Sequence, residues 1–418
     1  MPFALLALAL GAFAIGTAEF VIMGLLPEAA ADLDITLSSA GHLIAAYALG
    51  VVIGAPILTA AATRLRRRTA LLVFMGLFAL GNVATVVAPT YETVLASRFL
   101  AGLPHGAFLG VGALVAAHMA GPMRRATAVA RMLLGLTVAN IVGVPAGTLL
   151  GQLLGWRTAF LVVAAIALVS LVCVMVFVPD VPSPKGVRLR GEIAAMGRPQ
   201  VVYALLTAVF GFAGVFAVYS YISPMMTEVA GMSPAGVPLV LALFGTGMTL
   251  GSLAVGPLAD RWLRPTIYGS LASLAVVLVL FSVAVQHPVS AMIAVVVLGA
   301  VGFGVTAPLQ VLIMNKAAGA PTIASSANHS AFNLANAGGA WIGGLGISAG
   351  LGYTSPALLG AGAAVLGLAV ALTAGALDRR NPGLYKDDGT RTDGGADALP
   401  EPATGPADGS ARETSDRR

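Results

Sequence analysis

Residues 2–27 read PFALLALALGAFAIGTAEFVIMGLLP, an apolar run that a single acid, Glu19, interrupts. A helix needs about 20 apolar residues to cross the hydrocarbon of a bilayer, and this run is long enough. A charge near the bilayer centre costs at least about 2.5–3.5 kcal/mol, so such a residue is usually paired, protonated or exposed to a wet cavity. Glu19 is therefore the first candidate for a functional site.

The composition of the whole chain is typical of an integral membrane protein. Of the 418 residues, 58% are hydrophobic and 10% are charged, whereas soluble domains carry about 25% charged residues. The single cysteine, Cys173, lies in an apolar run and has no partner for an intrachain disulfide. The net charge of +5 is compatible with nucleic-acid binding until the placement of the charges is considered.

Charges, prolines and Gly/Ser turns divide the chain into apolar spans that are each long enough to cross a bilayer. We predict an all-α integral membrane fold with twelve transmembrane helices, near residues 3–26, 40–62, 70–88, 93–118, 126–150, 156–178, 200–224, 237–259, 266–285, 289–313, 323–349 and 354–377.

The longest connection divides these spans six and six. We assign an N-terminal six-helix half to residues 1–178, a cytoplasmic linker to 179–199 and a C-terminal six-helix half to 200–377. Residues 378–418 are rich in Gly, Asp, Pro and Thr and have few apolar side chains. Such a segment cannot bury enough surface to fold, so we predict a disordered cytoplasmic tail.

The basic residues of the loops lie on one side of the predicted membrane. Loops 63–69, 119–125, 179–199, 260–265 and 314–322 hold thirteen Lys and Arg, and the loops on the other side hold only Arg157. By the positive-inside rule, both termini and the linker are cytoplasmic. The sequence therefore predicts a multi-pass protein of the cytoplasmic membrane, and the basic charge reflects topology rather than a nucleic-acid partner.

A short pattern recurs between the two halves. Gly50 and Gly54 precede Arg64, and Gly247 and Gly251 precede Arg261, with an offset of 197 residues at all three positions. Small residues four apart let helices approach closely. The recurrence indicates an internal duplication into two six-helix halves, which describes one known class of transporter architecture.

Four stretches resemble a known family. Residues 98–110, RFLAGLPHGAFLG, look like the fourth-helix motif of major facilitator drug:proton antiporters. Residues 143–160 resemble the fifth-helix antiporter motif of that family, and residues 256–262 resemble its gate motif. Residues 16–33 resemble its first helix. The similarity covers residues 3–377. It is closest to the twelve-helix branch that contains sugar-efflux, purine-efflux and chloramphenicol-resistance exporters.

The resemblance implies a secondary active transporter that exports small organic molecules, of a drug, sugar or nucleoside class, in exchange for protons by alternating access. A facilitator or symporter for sugars or nucleosides is the alternative within the class. A membrane receptor or integral-membrane enzyme is the alternative outside it, but the sequence shows no catalytic or metal-ligand set. We expect no cofactor, a proton gradient as the driving force, and a monomer whose partners are the substrate, protons and the lipid bilayer.

Two charges are the candidates for proton coupling or substrate binding. Glu19 in the first helix and Arg98 in the fourth are expected at similar depth, roughly 12 and 8 Å from the outer ends of their helices. Nearby positive charge favours an ionised carboxyl and burial disfavours it. A movable Arg98 would therefore let Glu19 hold and release a proton. The alternatives are a static pair, or an Arg98 that extends to the outer surface.

Other polar side chains within the spans are candidates for contact with substrate in the cavity. Each is too polar for a lipid-facing position, so it must face protein or water. The set is Tyr47, His105, Asn140, Gln310, Asn328, Asn333 and Asn336. His105 is either a proton relay or a neutral packing group, and the others either bind substrate or form interhelical hydrogen bonds.

The remaining candidates act on conformation. By resemblance, Asp260 and Arg261 close a cytoplasmic gate with Arg64 as the first-half counterpart, but Thr63 stands where the second half has Asp260, so the first-half gate lacks its usual acid. We expect a glycine–proline set in the fifth helix to bring about close helix packing, because Gly permits close contact and Pro removes a backbone donor. This set consists of Gly143, Pro145 and Gly147.

Overall fold

The computed structural model describes residues 2–120, 124–181, 198–317 and 321–380. Most of the predicted linker and most of the predicted tail lie outside these residues. Within them, the chain forms twelve long helical segments, which confirms the predicted all-α membrane fold. Their bounds are α1 Pro2–Gly24, α2 Leu37–Ala62, α3 Arg67–Val87, α4 Tyr91–Ala120, α5 in three pieces (Arg125–Val138, Ala139–Gly143 and Val144–Leu154), α6 Trp156–Phe177, α7 Pro199–Ser220, α8 Val237–Arg261, α9 Leu263–Ala284, α10 Pro288–Lys316, α11 Pro321–Ser348 and α12 Ser355–Arg380.

Eleven of these segments are long and apolar enough to cross a membrane, and α11 falls outside this set. Helix α11 carries Asn328, Asn333 and Asn336, which lower its hydropathy. Its 28 residues still span the thickness of a bilayer at about 1.5 Å per residue. We call the side where α1 begins and α12 ends the terminal face, and the other side the opposite face.

The two groups of six helices pack in the same way. In the first half, α1 packs on α5 and α6, α2 packs on α4, and α3 packs on α6. In the second half, α7 packs on α11 and α12, α8 packs on α10, and α9 packs on α12. Between the halves, α2 packs on α11 and α5 on α8. Each of these contacts has its counterpart six helices away, which is the pattern that two related halves produce.

The repeated glycines are the residues that bring the paired helices together. A Cβ atom at Gly50 or Gly54 of α2 would collide with the backbone of Phe99 or Leu103 in α4. In the second half the same contacts recur at residues 197 positions further along the chain: Gly247 and Gly251 of α8 lie against Val296 and Ala300 of α10. The duplication predicted from the sequence is therefore visible in the packing.

We expect Gly102→Ala to lower the free energy of unfolding by about 1–3 kcal/mol, the usual cost of forcing extra atoms into a packed interior. Gly102 in α4 faces the carbonyl oxygen of Tyr47 and the amide nitrogen of Val51, and neither backbone atom can move aside as a side chain would. Gly110→Ala in the same helix is the matched control, because its added Cβ meets nothing within 4 Å. Equal thermal unfolding midpoints for the two variants in detergent would contradict this account.

Three helices are interrupted at membrane depth. Helix α4 breaks between Gly102 and His105, where Pro104 supplies no backbone N–H. Helix α5 contains a π-helical turn at Ala139–Gly143, and α10 breaks between Gly304 and Thr306. Such interruptions are tolerated inside a membrane where they are buried in protein or line a cavity, so they mark the region of interest.

The halves are joined directly at the opposite face. Ser38 Oγ donates a hydrogen bond to the carbonyl of Gly344 (3.0 Å), which joins α2 to α11. Gln152 Nε2 donates to the carbonyl of Pro234 (3.0 Å), which joins the end of α5 to the loop before α8. The opposite face is thus closed in this conformation.

The connection between α1 and α2 is fixed to α6 at the opposite face. Asp32 accepts a hydrogen bond from Trp156 Nε1 (3.0 Å) and pairs with Arg157. These two partners hold the pKa of the Asp32 carboxyl below its usual range. Arg157, the one base predicted on this side, therefore has a local structural partner.

A cluster of charges lies at the terminal face of the second half. Asp378 accepts a hydrogen bond from Lys316 Nζ (2.8 Å) and pairs with Arg264, which joins α12 to α10 and α9. The side chains of Asp378 and Lys316 are each only 7% exposed. Helix α12 continues to Arg380, so the first three residues of the predicted tail are helical.

Candidate functional site

A cavity of about 430 Å³ lies between the two halves. Its walls come from α1, α4 and α5 of the first half and from α8, α10 and α11 of the second. On α11 the lining residues begin at Asn328, about 10 Å from the terminal-face end of the helix. On α1 the lining residues are Glu19 and Phe20, close to the opposite-face end. The cavity therefore extends from near the closed opposite face towards the terminal face.

Glu19 lies in the wall of this cavity, at its closed end. Among the residues that the structure describes, Glu19 is the one Asp or Glu side chain in the lining. It is buried, and its Oε1 atom has no hydrogen-bond partner within the described chain. A buried carboxyl without fixed partners can accept and release a proton without first breaking a structural contact.

Arg98 is placed behind Glu19 rather than in the cavity. It is fully buried, and its guanidinium lies between the rings of Tyr47 (4.5 Å) and Phe160 (4.9 Å). Arg98 Nη2 donates to the carbonyl of Ala18 (3.0 Å), while Nε and Nη1 have no partner in the described ranges. Cation–π contacts are worth about 2 kcal/mol each when they are desolvated, so the rings compensate part of the burial cost.

Within the described residues, Glu19 and Arg98 form no ion pair within 4.0 Å, although Arg98 bonds the carbonyl of Ala18, the residue before Glu19. An electrostatic link between the two charges stays a prediction. Arg98 does not extend to the outer surface, because α6 and α2 enclose it.

A hydrogen-bonded pair, Tyr47 and His105, lies between the guanidinium of Arg98 and the cavity. Tyr47 is buried beneath Arg98, and its hydroxyl lies 3.1 Å from Nδ1 of His105. His105 follows the break in α4 and lines the cavity together with His329 of α11. Tyr47 itself does not reach the lining. It therefore lies between Arg98 and His105 and fixes the position of both.

The other predicted polar residues divide into two groups. Four of them line the cavity: Asn140, Gln310, Asn328 and Asn333. Asn140 is the second residue of the π-helical turn in α5, and its Oδ1 has no partner among the described residues. Asn336 is buried but lies outside the cavity lining, one turn beyond Asn333 on α11.

An aromatic wall faces the polar groups. Phe20, Phe303 and Phe332 line the cavity. Phe332 is held edge-on by Phe212 (4.9 Å) and Phe216 (5.0 Å), measured between ring centroids. The cavity thus combines fixed apolar rings with hydrogen-bonding side chains, an arrangement typical of sites for small organic ligands.

The predicted gate residues are not joined in this conformation. Arg64, Asp260 and Arg261 are exposed at the terminal face, and within the described residues none of them forms an ion pair. Arg261 stacks on the ring of Trp262 (4.6 Å) instead. Thr63, which replaces the first-half acid, follows the last residue of α2 and donates its hydroxyl to the carbonyl of Ala60.

The glycines of α5 pack against α1. Gly143 lies against Thr17 and Phe13, and Gly147 lies against Val21. Pro145 sits in the first turn of the final piece of α5, where its missing N–H is tolerated. This contact holds α1 in place and fixes the position of Glu19 in the wall.

Several residues of the lining carry no distinct signal in the sequence. His329 lies within the stretch of α11 that the asparagines had marked, but a histidine among three asparagines gave no separate signal. Three further lining residues are Thr137, Thr249 and Thr306. Threonine is common in membrane helices, where its hydroxyl usually bonds the backbone of its own helix, so the sequence does not distinguish these three from other threonines. No group of three or more metal-ligating side chains occurs within the described ranges.

Comparison with known proteins identifies the family. Residues 8–340 match the family described as the Major Facilitator Superfamily. The chain is 45% identical to the inner membrane transport protein YdhP of Escherichia coli (strain K12), over 88% of this chain and 94% of that protein. It is 35% identical to a chloramphenicol resistance protein of Streptomyces lividans, over 81% and 87% of the two chains.

The fold comparison agrees with this match. The crystal structure of a D-xylose-proton symporter superposes with a TM-score of 0.71 at 18% identity and covers 88% of this chain and 96% of that one. At that identity the likeness shows the fold alone, a bundle of twelve helices in two halves. Together with the family match over most of its length, it establishes that this chain belongs to the Major Facilitator Superfamily and is a transporter rather than an enzyme.

Proposed function

We propose that this transporter exports small organic molecules across the cytoplasmic membrane in exchange for protons. The observation that carries the proposal is the position of Glu19, the one carboxyl in the wall of the cavity between the halves. Its lack of a fixed partner leaves it free to exchange a proton with water that enters the cavity. The proton gradient then supplies the driving force, and no cofactor is required.

The orientation of the chain in the membrane follows from the Lys and Arg residues of its loops. The loops of the terminal face carry thirteen of the fourteen loop Lys and Arg residues, and the positive-inside rule places that face in the cytoplasm. The cavity then faces the cytoplasm in this conformation, with its outer end closed by the α2–α11 and α5–α8 contacts. A substrate that enters from the cytoplasm meets Glu19 at the far end.

Rocking of the two halves converts this conformation into one open to the outside. We assign the moving bodies to residues 1–178 and 200–377, with residues 179–199 as the cytoplasmic connection. Asp260 and Arg261, now exposed, are the groups that would close the cytoplasmic side when the halves approach there. Like other members of the superfamily, which typically work as monomers, the chain needs no second copy for this cycle.

A drug such as chloramphenicol, a sugar or a nucleoside is the proposed class of substrate. The relative from Streptomyces lividans is named for chloramphenicol resistance, and the aromatic and amide lining of this cavity suits an uncharged aromatic compound with hydrogen-bonding groups. Arg98 is buried against the ring of Tyr47 and does not line the cavity. The described lining therefore contains no Lys or Arg that would attract an anion.

Inverted membrane vesicles test the exchange directly. An acid-inside pH gradient is imposed, and chloramphenicol, a purine analogue, a sugar or a lipophilic cation is added outside. An exporter takes the compound up and releases protons, so we expect the gradient to dissipate for at least one compound. Dissipation only from vesicles preloaded with the compound would instead indicate a symporter, and no response to any member of the panel would contradict export.

Asn333→Leu is expected to weaken transport of the compound so identified by about tenfold, the effect of losing hydrogen bonding worth about 1.4 kcal/mol. Asn333 lines the cavity, and its Oδ1 has no partner in the described chain. The apparent KM in vesicles is the measurement. Asn336→Leu, on the same helix and outside the lining, is the matched control. Equal changes in KM would show that the asparagines serve helix packing alone.

A further inference from the structure

The cavity reaches the lipid-facing surface of α5. The exposed side of this helix includes Leu134, whose side chain is 54% exposed, and Val138 one turn later. Leu134 is also part of the cavity lining, together with Thr137. At about 100° per residue, Leu134 is about 40° from Val138 and about 60° from Thr137 around the helix. It therefore marks the line where the lipid-facing side meets the cavity wall.

Helix α8 shows the same feature across the cleft. Leu250 and Leu253 are exposed, the latter by 70%. Leu253 also lines the cavity, beside Thr249. It lies about 60° from Leu250 and about 40° from Thr249 around the helix. The cavity is thus bounded on its α5–α8 side by two leucines, one on each half, that both belong to the apolar surface of the protein.

The other side of the molecule is closed. Within the described chain, α2 contributes no residue to the cavity lining. Its lipid-facing side carries Leu49, Ile53 and Ile57, and Ser330 Oγ of α11 lies 3.4 Å from the carbonyl of Val52. By contrast, the α5–α8 contact extends from Gln152 only to Asn140, which lies against Gly245. The piece of α5 on the terminal-face side of Asn140, Arg125–Val138, does not pack closely on α8, so the two helices leave a gap there.

We propose that this gap is a lateral portal through which substrate enters from the adjoining leaflet of the bilayer. The occupant is a small amphiphile that partitions into lipid, with an apolar part that passes Leu134 and Leu253 and a polar group that then meets Thr137, Asn140 or Thr249. Apolar side chains at the entrance and hydrogen-bonding ones behind it fit such a molecule better than a strongly hydrated solute. The inference rests on the proposed transport function for its substrate, and it adds the route and the chemical class.

Site-specific fluorescence tests the portal without any transport measurement. Thr137→Cys is made in a Cys173→Ala background, labelled with a bimane and reconstituted into vesicles whose acyl chains carry bromine. His329→Cys is the matched control, because it lines the same cavity from α11, away from the gap, and is likewise half-buried. We expect brominated lipid to reduce the bimane fluorescence at Thr137→Cys and to leave that at His329→Cys unchanged, while aqueous iodide quenches both.

Two results would overturn the portal. Brominated lipid that quenches neither position shows that acyl chains do not reach the gap, and equal quenching at both shows general loosening of the helices. Quenching of both labels by iodide establishes that the cavity is intact and labelled in each variant. Because no substrate is present, the portal can fail while proton exchange in inverted vesicles succeeds, and the reverse outcome is equally distinguishable.

Discussion

Glu19→Gln is expected to abolish the exchange of protons for substrate. Glutamine matches the shape of the carboxyl but cannot bind and release a proton, so the cycle loses its coupling group. The cavity and the closed opposite face involve no hydrogen bond from Glu19 in the described chain, so the variant keeps the fold. In inverted vesicles, dissipation of an imposed pH gradient on addition of substrate should fall to the level of vesicles without the protein.

Glu92→Gln is the control for this variant. Glu92 is an exposed acid in the first turn of α4 at the opposite face, outside the cavity lining, and its replacement removes the same charge from the protein. Proton exchange should continue in Glu92→Gln. A Glu19→Gln protein that still exchanged substrate for protons at the wild-type ratio would refute the coupling role, whereas binding of substrate without proton movement would support it.

Asp378→Asn is expected to lower the free energy of unfolding by about 3–5 kcal/mol, the usual cost of breaking a buried ion pair. Asparagine leaves the Lys316 ammonium without this carboxylate in a site that is almost closed to water. It also removes the ion pair that Asp378 makes with Arg264 of α9. The measurement is equilibrium unfolding by denaturing detergent in mixed micelles, followed by circular dichroism.

The first half supplies a matched control for the loss of this charge. Asp180 pairs with Arg66 at the terminal face, but the two side chains are 33% and 76% exposed. Exposed pairs contribute about 0–1 kcal/mol, so Asp180→Asn should change stability little. Equal destabilisation by Asp180→Asn and Asp378→Asn would show that burial does not decide the strength of these pairs.

The twelve-helix fold was predictable because apolar length and loop charge are local properties of the sequence. The repeat at Gly50 and Gly247 was also readable, since a fixed offset needs no structural knowledge. The ion pairs of Asp378 could not be predicted from the sequence. Its partners Arg264 and Lys316 lie 114 and 62 residues away, and only the packing of α9, α10 and α12 brings them together. The composition of the sequence instead predicts a disordered tail that begins at Asp378.

The candidate site was predictable in its members and less so in its arrangement. Glu19, His105 and Asn140 were marked because a polar group at membrane depth is costly, and all three line the cavity. Depth along their helices also places Arg98 near Glu19, but depth does not give rotation about the helix axis. Only the packed structure shows that Arg98 faces Tyr47 and Phe160 instead of the cavity.

His329 is a second residue whose surroundings do not follow from its position along a helix. Its position along α11 is inside the polar stretch, yet its place in the same lining as His105 depends on how α11 and α4 pack across the two halves. The portal depended on packing still more strongly. Leu134 and Leu253 are unremarkable leucines in the sequence, and they become informative only because a cavity ends at them.

In the proposed exchange of protons for substrate, the single acid of the described cavity wall sets an energetic ceiling on the outward concentration ratio of the substrate. One carboxyl carries one proton per cycle, and a membrane potential of 100 mV is worth about 2.3 kcal/mol for one charge. At about 1.4 kcal/mol for each factor of ten, that energy sustains at most about a 50-fold concentration ratio for an uncharged substrate. A larger ratio at this potential, with no pH difference, would require a second proton carrier, and the described lining offers His105 and His329 for that role.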